Sequence, residues 1–572
     1  MQKNAILKKV YLYQLFKARF KTIYTMKKII NHIIFPLIAL VVWSCGQQGN
    51  NKTSMVEIDT TSIRRNLITL SSDEFEGRKP FTVGEEKTIN YIKNEMANMG
   101  LQPGNGESYF QKVPMVEITA NPSETMTVSN DKTTLSFKAL NDFVVVTQRA
   151  TEYVELKASE LVFAGFGTTA PEYGWADYEG IEWTGKTAVV LVNDPGFITQ
   201  DSTLFKGNTM TYYGRWTYKY EEGAKQGADG VILIHETASA GYGWNVVENS
   251  WSGANLTLED NNQNMSKLAI ESWITESTAE AIFNAAGLDL SEQKAAATKK
   301  GFKPVPLGLK VDVSINNGIK RANSQNVIGV IPGSERPNET IVYSAHWDHL
   351  GIGEADANGD SIYNGALDNA SGTAQMLAIA QAFKTQNIKP KRTIVFIAVT
   401  AEEQGLLGSA YYAENPLFPI NKTVCNINMD GSAVYGKMKD FTITGIGHSQ
   451  MDDYAKEEAE KLGRYINPDP DPDKGYFFRS DHFNFAKQGV PALYGKGIYD
   501  HKEKGIAYIK KMKTDYLQNR YHRQADNFKE ELFSMEGIAE EVRLLYNIGK
   551  RLADESTFPK WYESSEFNGI RK

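Results

Sequence analysis

Apolar residues form two patterns in the second half of this chain: short continuous runs and stripes with the period of a helix. The two patterns alternate along the sequence. A nearly unbroken apolar run in TIVFIAVTA (393–401), with shorter apolar stretches in TIVYSAH (340–346) and VCNINMD (424–430), predicts three strands. Between the first two, an apolar stripe over 371–386 predicts an amphipathic helix. Because continuous apolar strands alternating with helices are typical of parallel sheets covered on both faces, the pattern predicts an α/β fold with an open, mostly parallel sheet flanked by helices.

Two further helices are predicted, one before and one after the segments described above. Apolar residues at Ile89, Ile92, Met96 and Met99 predict a helix over 88–99, which Gly100 ends. A second apolar stripe over 538–552 predicts a terminal amphipathic helix.

The middle of the chain has a different pattern. Residues 149–305 carry short strand-like runs (LVFAGFG, TAVVLVND, GVILIHE) between loops rich in glycine and aromatic residues, and no catalytic group stands out there. A chain of 572 residues is too long for one ordinary domain. We therefore expect a β-rich domain at 149–305, inserted into a discontinuous domain made of 58–148 and 306–572.

The N-terminal pattern predicts export. Lys27 and Lys28 precede a short apolar stretch over 29–43, which is too short to span a bilayer comfortably. The following VWSC resembles a bacterial lipobox, so 26–45 is interpreted as a signal peptide whose Cys45 is lipidated and anchors the protein to the membrane of the cell envelope. An ordinary signal peptide and an uncleaved anchor are the alternatives. Residues 1–25 would then precede the true start at Met26.

Composition and charge narrow the function classes. Hydrophobic residues make up 41% of the chain and charged residues 23%, as in a folded soluble protein. The net charge of −7 gives no electrostatic case for nucleic-acid binding. The two cysteines are Cys45 and Cys425. Lipidation of the first would leave Cys425 without a disulfide partner, as a small buried strand residue.

Candidate chemistry lies where the predicted strands end. Glu402 and Glu403 stand side by side after the second strand, where like charges are costly unless a cation or a proton offsets them. In an open α/β sheet the ligand crevice lies at the carboxyl ends of the strands. The candidate residues are the strand-end His346, Asp348, Glu402, Glu403 and Asp430, with Asp368 in GALDNASG and His522 in RYHRQAD.

Two divalent cations held close together would account for this set. Zinc accepts imidazole nitrogen and carboxylate oxygen and leaves a position for water. Two zinc ions that share a bridging carboxylate cancel the repulsion between the acids and keep them ionised. One of the adjacent glutamates can then bind metal while the other transfers protons.

Five motifs in order carry a family resemblance. AHWDHLG, GALDNASG, VTAEEQGLLGSAYY, NINMDG and YHRQAD together resemble the co-catalytic di-zinc peptidases of metallopeptidase family 28, over about 58–145 and 310–555. The middle segment is similar to a protease-associated domain. The resemblance implies the zinc exopeptidase fold, two Zn²⁺ ions, and aminopeptidase activity on peptide substrates.

The resemblance also implies a role for each matched residue. Glu402 would be the general base, and Asp348 would orient an imidazole ligand. His346 and Asp430 would hold one zinc. Glu403 and His522 would hold the other, and Asp368 would bridge the two.

Other polar residues near these motifs have less defined roles. His349 occupies a position that the family does not use as a ligand, so we expect no metal contact there. Arg479, Asp481 and His482 lie in a stretch that lines the pocket in relatives, and substrate contact and a structural role both stay open. Asp526 would either support a ligand or cap a helix. No substrate-binding residue is assigned.

Other functions remain compatible with these motifs. A glutaminyl cyclase reuses the fold and much of the ligand set with one zinc. A glutamate carboxypeptidase would need a basic clamp for the substrate carboxylate, for which Arg479 is the only candidate in this stretch. A receptor-like module without enzymatic activity would have lost ligands, whereas all five are present here. Neither the oligomeric state nor the membrane leaflet follows from the sequence.

Overall fold

A computed structural model describes residues 56–386 and 389–571. The chain divides into Met1–Glu57 and a compact unit, Ile58–Lys572. The predicted signal peptide and lipobox at 26–45, with Cys45, lie outside the described residues. Within the described ranges, no helix combines the length and the apolarity needed to cross a bilayer.

The strands begin at residue 102, and helices separate many of them after residue 194. Their bounds in chain order are β1 (Gln102–Pro103), β2 (Phe110–Pro122), β3 (Thr125–Ser129), β4 (Thr134–Lys138), β5 (Phe143–Val146), β6 (Tyr153–Phe163), β7 (Thr169–Ala170), β8 (Trp175–Ala176), β9 (Lys186–Leu191), β10 (Gly230–His235), β11 (Ala254–Leu258), β12 (Ile270–Thr275), β13 (Val305–Ile331), β14 (Arg336–His346), β15 (Gly351–Ile352), β16 (Ile362–Tyr363), β17 (Arg392–Val399), β18 (Thr423–Asn428), β19 (Asp440–Ile443), β20 (Tyr465–Pro468) and β21 (Ala492–Lys496).

The helices include the three predicted from the apolar stripes. The bounds are α1 (Thr60–Leu70), α2 (Val83–Asn98), α3 (Pro195–Thr199), α4 (Trp216–Lys225), α5 (Thr237–Ala240), α6 (Trp244–Ser250), α7 (Glu276–Ala285), α8 (Leu290–Ala297), α9 (Ser371–Lys384), α10 (Leu407–Glu414), α11 (Met451–Lys461), α12 (His482–Lys487), α13 (Gly505–Asn519) and α14 (Met535–Asp554). Gly100 follows α2 with φ +75°, a conformation that glycine adopts without strain.

The main sheet has a parallel centre. Strands β21, β18, β14 and β17 lie side by side and run parallel, while β19 and β13 pair antiparallel at either side and β2 pairs antiparallel with β13. All eight residues of β17 are buried, as expected for a strand covered on both faces. This confirms the predicted α/β class with an open, mostly parallel sheet flanked by helices.

Helices cover both faces of this sheet. On one face Tyr343 of β14 stacks on Phe396 of β17, and Phe383 of α9 contacts both Phe396 and Tyr546 of α14. On the other face, alternate residues of the same strands pack with Tyr412 of α10 and with the helix α12. Two-sided burial explains why these strands read as continuous apolar runs.

The middle of the chain forms a second, smaller layered region, which we call the middle lobe. Strands β6, β9, β10 and β12 run parallel, β5 pairs antiparallel with β12, and α4 and α7 contact β10. Its apolar cluster also contains residues at 126–145 and 305–315. The packed lobe is thus wider than the predicted 149–305 segment, and it contains helices as well as strands.

One strand joins the middle lobe to the main sheet. The 27-residue β13 pairs with β6 of the middle lobe near its start, with β2 over 13 residue pairs farther along, and with β17 at its end. The middle lobe and the main sheet therefore share a continuous hydrogen-bonded ladder.

Candidate metal centre

The predicted site residues meet at one edge of the main sheet. His346 is the last residue of β14 and lies opposite Val399, the last residue of β17, so Glu402 and Glu403 follow at the same edge. Asp430 follows β18 in the same way. Parallel strands end at a common edge, and there the sequence pattern correctly brings these groups together.

The first cluster surrounds the imidazole of His346. Its Nε2 lies 3.3 Å from Asp368 Oδ1 and 3.7 Å from Asp430 Oδ1. The ligand atoms of these three residues all lie within 4.8 Å of one another. His346 Nδ1 lies 3.2 Å from the backbone oxygen of Asp348 and donates to it. Its Nε2 has no hydrogen-bond partner among the described residues, and it could bind a cation.

The second cluster contains His522. Its Nε2 lies 3.1 Å from Glu403 Oε2 and 3.3 Å from Asp368 Oδ2. The two oxygens of Asp368 therefore face different imidazoles, as a carboxylate that bridges two cations would require. The His522 side chain is 36% exposed, and its backbone has φ +53°.

His349 takes part in the site, although no role for it was predicted. Its Nδ1 donates to Glu403 Oε1 over 2.6 Å, which leaves Glu403 Oε2 facing His522. The ligand atoms of His349, Asp368 and Glu403 also lie within 4.8 Å of one another. His349 therefore contacts Glu403 directly. It either donates a hydrogen bond to Glu403 or supplies a further nitrogen ligand to a metal ion in the second cluster.

Asp348 fixes the backbone of the glutamate pair. Its carboxylate accepts hydrogen bonds from the amides of Glu402 (3.0 Å) and Glu403 (3.3 Å), just after the left-handed turn at Ala401. Its carboxylate Oδ1 lies 3.8 Å from His346 Nδ1, farther than its own backbone oxygen. Asp348 was predicted to orient His346, and in the structure that contact is made by its carbonyl while its carboxylate holds the glutamates.

Asp526 holds the loop that carries the shared carboxylate. It accepts hydrogen bonds from the amides of Leu367 and Asp368, each at 3.1 Å, and its backbone oxygen accepts from Ala366. Of the two roles considered from the sequence, the contacts correspond to support of a ligand.

Arg78 is a buried cation beneath the site that the sequence analysis missed. It donates to the backbone oxygens of Trp347 and Gly365, both at 2.9 Å, and to those of Leu70 and Asn364. Burial lowers its pKa to about 10, so it stays protonated at neutral pH. It ties the loop after β14 to the loop of Asp368. In the sequence Arg78 ends the motif DEFEGR, which gives no sign of this contact.

The stretch 479–482 contributes an unexpected residue. Ser480 Oγ donates to Asp430 Oδ2 over 2.7 Å, a contact not predicted from the sequence. Asp481 and His482 are buried, and their side-chain polar atoms have no hydrogen-bond partner in the part of the chain that the structure describes. The guanidinium of Arg479 lies 5.3 Å from the ring of Tyr476.

The electrostatics of the site favour a cation. Burial raises the pKa of Glu402 well above its ordinary value, and Asp430 and Glu403 add to this while His346 opposes it. Burial lowers the pKa of His346, but Glu402, Asp368 and Asp430 outweigh it, so the pKa rises well above 6.5. Both shifts retain protons among crowded carboxylates and imidazoles, and divalent cations bound there would take the place of those protons.

Comparisons with known proteins agree with this geometry. Residues 326–543, which contain all seven predicted site residues, match the model of peptidase family M28. Aminopeptidase NAALADL1 of Rattus norvegicus is 36% identical over 138 residues, covering 23% of this chain and 17% of that protein. The Glutamate carboxypeptidase 2 homolog of Caenorhabditis elegans is 35% identical over 128 residues, covering 22% and 15%.

A third relative has zinc in its own name. The Probable zinc metalloprotease of Pyrenophora teres f. teres (strain 0-1) is 37% identical over 108 residues, covering 19% of this chain and 22% of that protein. This chain therefore spans less than a quarter of the length of these three curated relatives. The match of residues 326–543 to the family M28 model supports the predicted enzyme class, a metallopeptidase, for that segment.

Proposed function

We propose that the protein is an exported di-zinc exopeptidase that removes N-terminal residues from peptides. The observation that carries the proposal is the pair of imidazole–carboxylate clusters that share Asp368. Nitrogen and carboxylate oxygen are the donors that catalytic zinc sites use. His346 and Asp430 would hold one zinc, Glu403 and His522 the other, and Asp368 both.

Bound zinc supplies Lewis acidity, which lowers the pKa of water and polarises a peptide carbonyl. The residues of this chain supply positioning and proton transfer. Glu402 accepts the proton of the attacking water and delivers it to the leaving amine. Its backbone is held by Asp348, and its Oε2 lies 3.9 Å from His346 Nε2, so the base stands beside the first cluster.

The direction of cleavage is tested with blocked peptides. Excess carboxylate at the site favours a free α-amine on the substrate over a free carboxylate. We expect unblocked peptides to lose their N-terminal residue and N-acetylated peptides to be poor substrates, with products identified by mass. Release of C-terminal glutamate would favour a glutamate carboxypeptidase, and pyroglutamate formation would favour a glutaminyl cyclase. Absence of any reaction with two zinc ions bound would favour a receptor-like module.

The metal count is a separate test. We expect two zinc ions per chain by elemental analysis, loss of peptidase activity on chelation, and recovery on adding zinc. One zinc per fully active chain would contradict the di-zinc proposal and leave the peptidase proposal standing.

Export and anchoring are also proposed, with the middle lobe as a protease-associated domain. Support for anchoring comes from the basic residues Lys27 and Lys28, the short apolar stretch and Cys45. In cells, Cys45→Ser should release the protein from the membrane fraction, whereas Cys425→Ser should not. A Cys45→Ser protein that stays membrane-bound with an unprocessed N-terminus would contradict this proposal.

A further inference from the structure

A cleft of about 890 Å³ runs between the metal centre and the middle lobe. Glu403, Gln404 and Gly405, the turn that carries the glutamate pair, line one part of it, and residues of α4 and β12 line another. This volume is in the range of pockets that bind drug-sized ligands. A peptide bound at the metal centre therefore has room to extend into the middle lobe.

Aromatic rings line the middle-lobe part of the cleft. Trp216 and Tyr220 lie on the face of α4 that lines it, and both contact the ring of Trp251, at 5.9 and 5.7 Å between centroids. The Tyr220 hydroxyl donates to the backbone oxygen of Ser272, so its ring is fixed in place. Fixed aromatic faces attract cations through their quadrupole.

A buried carboxylate lies beside these rings. Glu271 of β12 is 4% exposed, lines the cleft, and points to the same side of the strand as Trp273, which packs with Tyr220. Gln148 donates to its Oε1 over 2.7 Å. Burial raises the pKa of Glu271 to about 7, with Gln148 and Lys267 opposing the rise. A buried carboxylate of this kind gains from a cationic partner.

The lysines that line the cleft do not serve as the cationic partner of Glu271. Lys225 and Lys267 are both exposed, and Lys225 pairs with Glu222 at 3.4 Å. Neither forms an ion pair with Glu271 within the described residues. A ligand cation entering between the rings and Glu271 would complete the site.

We propose that this cleft is a substrate subsite that takes a lysine or arginine side chain of the peptide held at the metal centre, an inference that rests on the proposed peptidase function. The aromatic faces would contact the aliphatic stem and the charge, and the Glu271 carboxylate would pair with the cationic group.

The test uses peptides that differ only in having lysine or the neutral norleucine at one position, scanned along the peptide. For the wild type, kcat/KM should favour lysine by about tenfold at one position, as expected for one charge-assisted hydrogen bond. Glu271→Gln, which keeps the size and the contact with Gln148, should abolish this preference. Trp251→Leu should weaken it. Glu160→Gln, an exposed glutamate of the same lobe outside the cleft, should leave it unchanged.

Two outcomes would overturn the subsite. One is a wild type with no lysine preference at any position. The other is a Glu271→Gln variant that loses activity equally on both peptides together with thermal stability. Binding of analogues with a reduced N-terminal bond, measured by calorimetry, separates the two proposals. Glu271-dependent preference for the lysine analogue without hydrolysis of any peptide would support the subsite and overturn the peptidase function.

Discussion

The two clusters of the metal centre are built in different ways. His346 is the last residue of a central strand, its side chain is 1% exposed, and its Nδ1 is held by a backbone oxygen. His522 lies in a turn with φ +53°, and its side chain is 36% exposed. The Asp368 carboxylate thus links a rigid cluster around His346 to a more accessible cluster around His522. We call the cluster around His346 the rigid cluster and the cluster around His522 the accessible cluster. We expect the rigid cluster to keep its geometry without metal and the accessible cluster to need metal to keep its geometry.

The largest expected effect separates the adjacent glutamates. Glu402→Gln removes the proposed base but no ligand, so kcat should fall by about 10²–10⁴-fold with both metals retained. Glu403→Gln removes a charged ligand of the accessible cluster, so zinc content should fall, with partial rescue by excess zinc. Metal analysis and kinetics of both variants check this. If Glu402→Gln loses metal while Glu403→Gln keeps it, their roles are exchanged.

Removing each imidazole should sharpen the contrast. His346→Ala leaves buried carboxylates without a nearby cation, so we expect loss of zinc and destabilisation by about 3–5 kcal/mol. His522→Ala should lose one zinc with a smaller loss of stability, because its surroundings are open to solvent. Thermal unfolding with and without chelator measures both. Equal losses of stability would show that the two clusters are equally rigid.

The supporting aspartates should have intermediate effects. In Asp348→Asn an amide NH₂ would face the Glu402 or Glu403 amide, and in Asp526→Asn it would face that of Asp368. Each should cost about 10–100-fold in activity or metal affinity. Asp348→Asn should lower kcat mainly, and Asp526→Asn should weaken both metals. A Asp526→Asn variant with unchanged zinc affinity would remove its role in holding the bridge.

The smallest effect is expected at His349. His349→Ala removes the hydrogen bond to Glu403, and zinc affinity at the accessible cluster should fall by about tenfold, the low end for such partners. His349→Asn, which keeps a donor, should recover part of it. Loss of a full zinc equivalent in His349→Ala, with none lost in His522→Ala, would make His349 the ligand instead.

The sequence predicted the rigid cluster better than the accessible one. The apolar runs ending at His346, Glu402 and Asp430 mark strand ends, and parallel strands bring these to one edge without further information. Asp368 and His522 lie in loops, and the pattern of apolar residues does not predict where a loop lies in the fold. Their roles came from the family resemblance. Loop contacts depend on tertiary packing between distant segments.

The residues that the sequence analysis missed act across long separations. Arg78 contacts Trp347 and Gly365, and Ser480 contacts Asp430. Neither contact leaves a local pattern, because each side chain serves a backbone or a carboxylate from another part of the chain. The strands β3 and β4 pair with each other and β3 with β13, although they precede the predicted 149–305 segment, where the sequence pattern changes.

The long strand β13 has a consequence for how the molecule unfolds. It pairs with β6 of the middle lobe near its start and with β2 over 13 residue pairs, so the middle lobe and the main sheet share one hydrogen-bonded ladder. Such a ladder opens only by partial unfolding, at a cost well above thermal energy. The two parts of the protein should therefore melt in a single calorimetric transition.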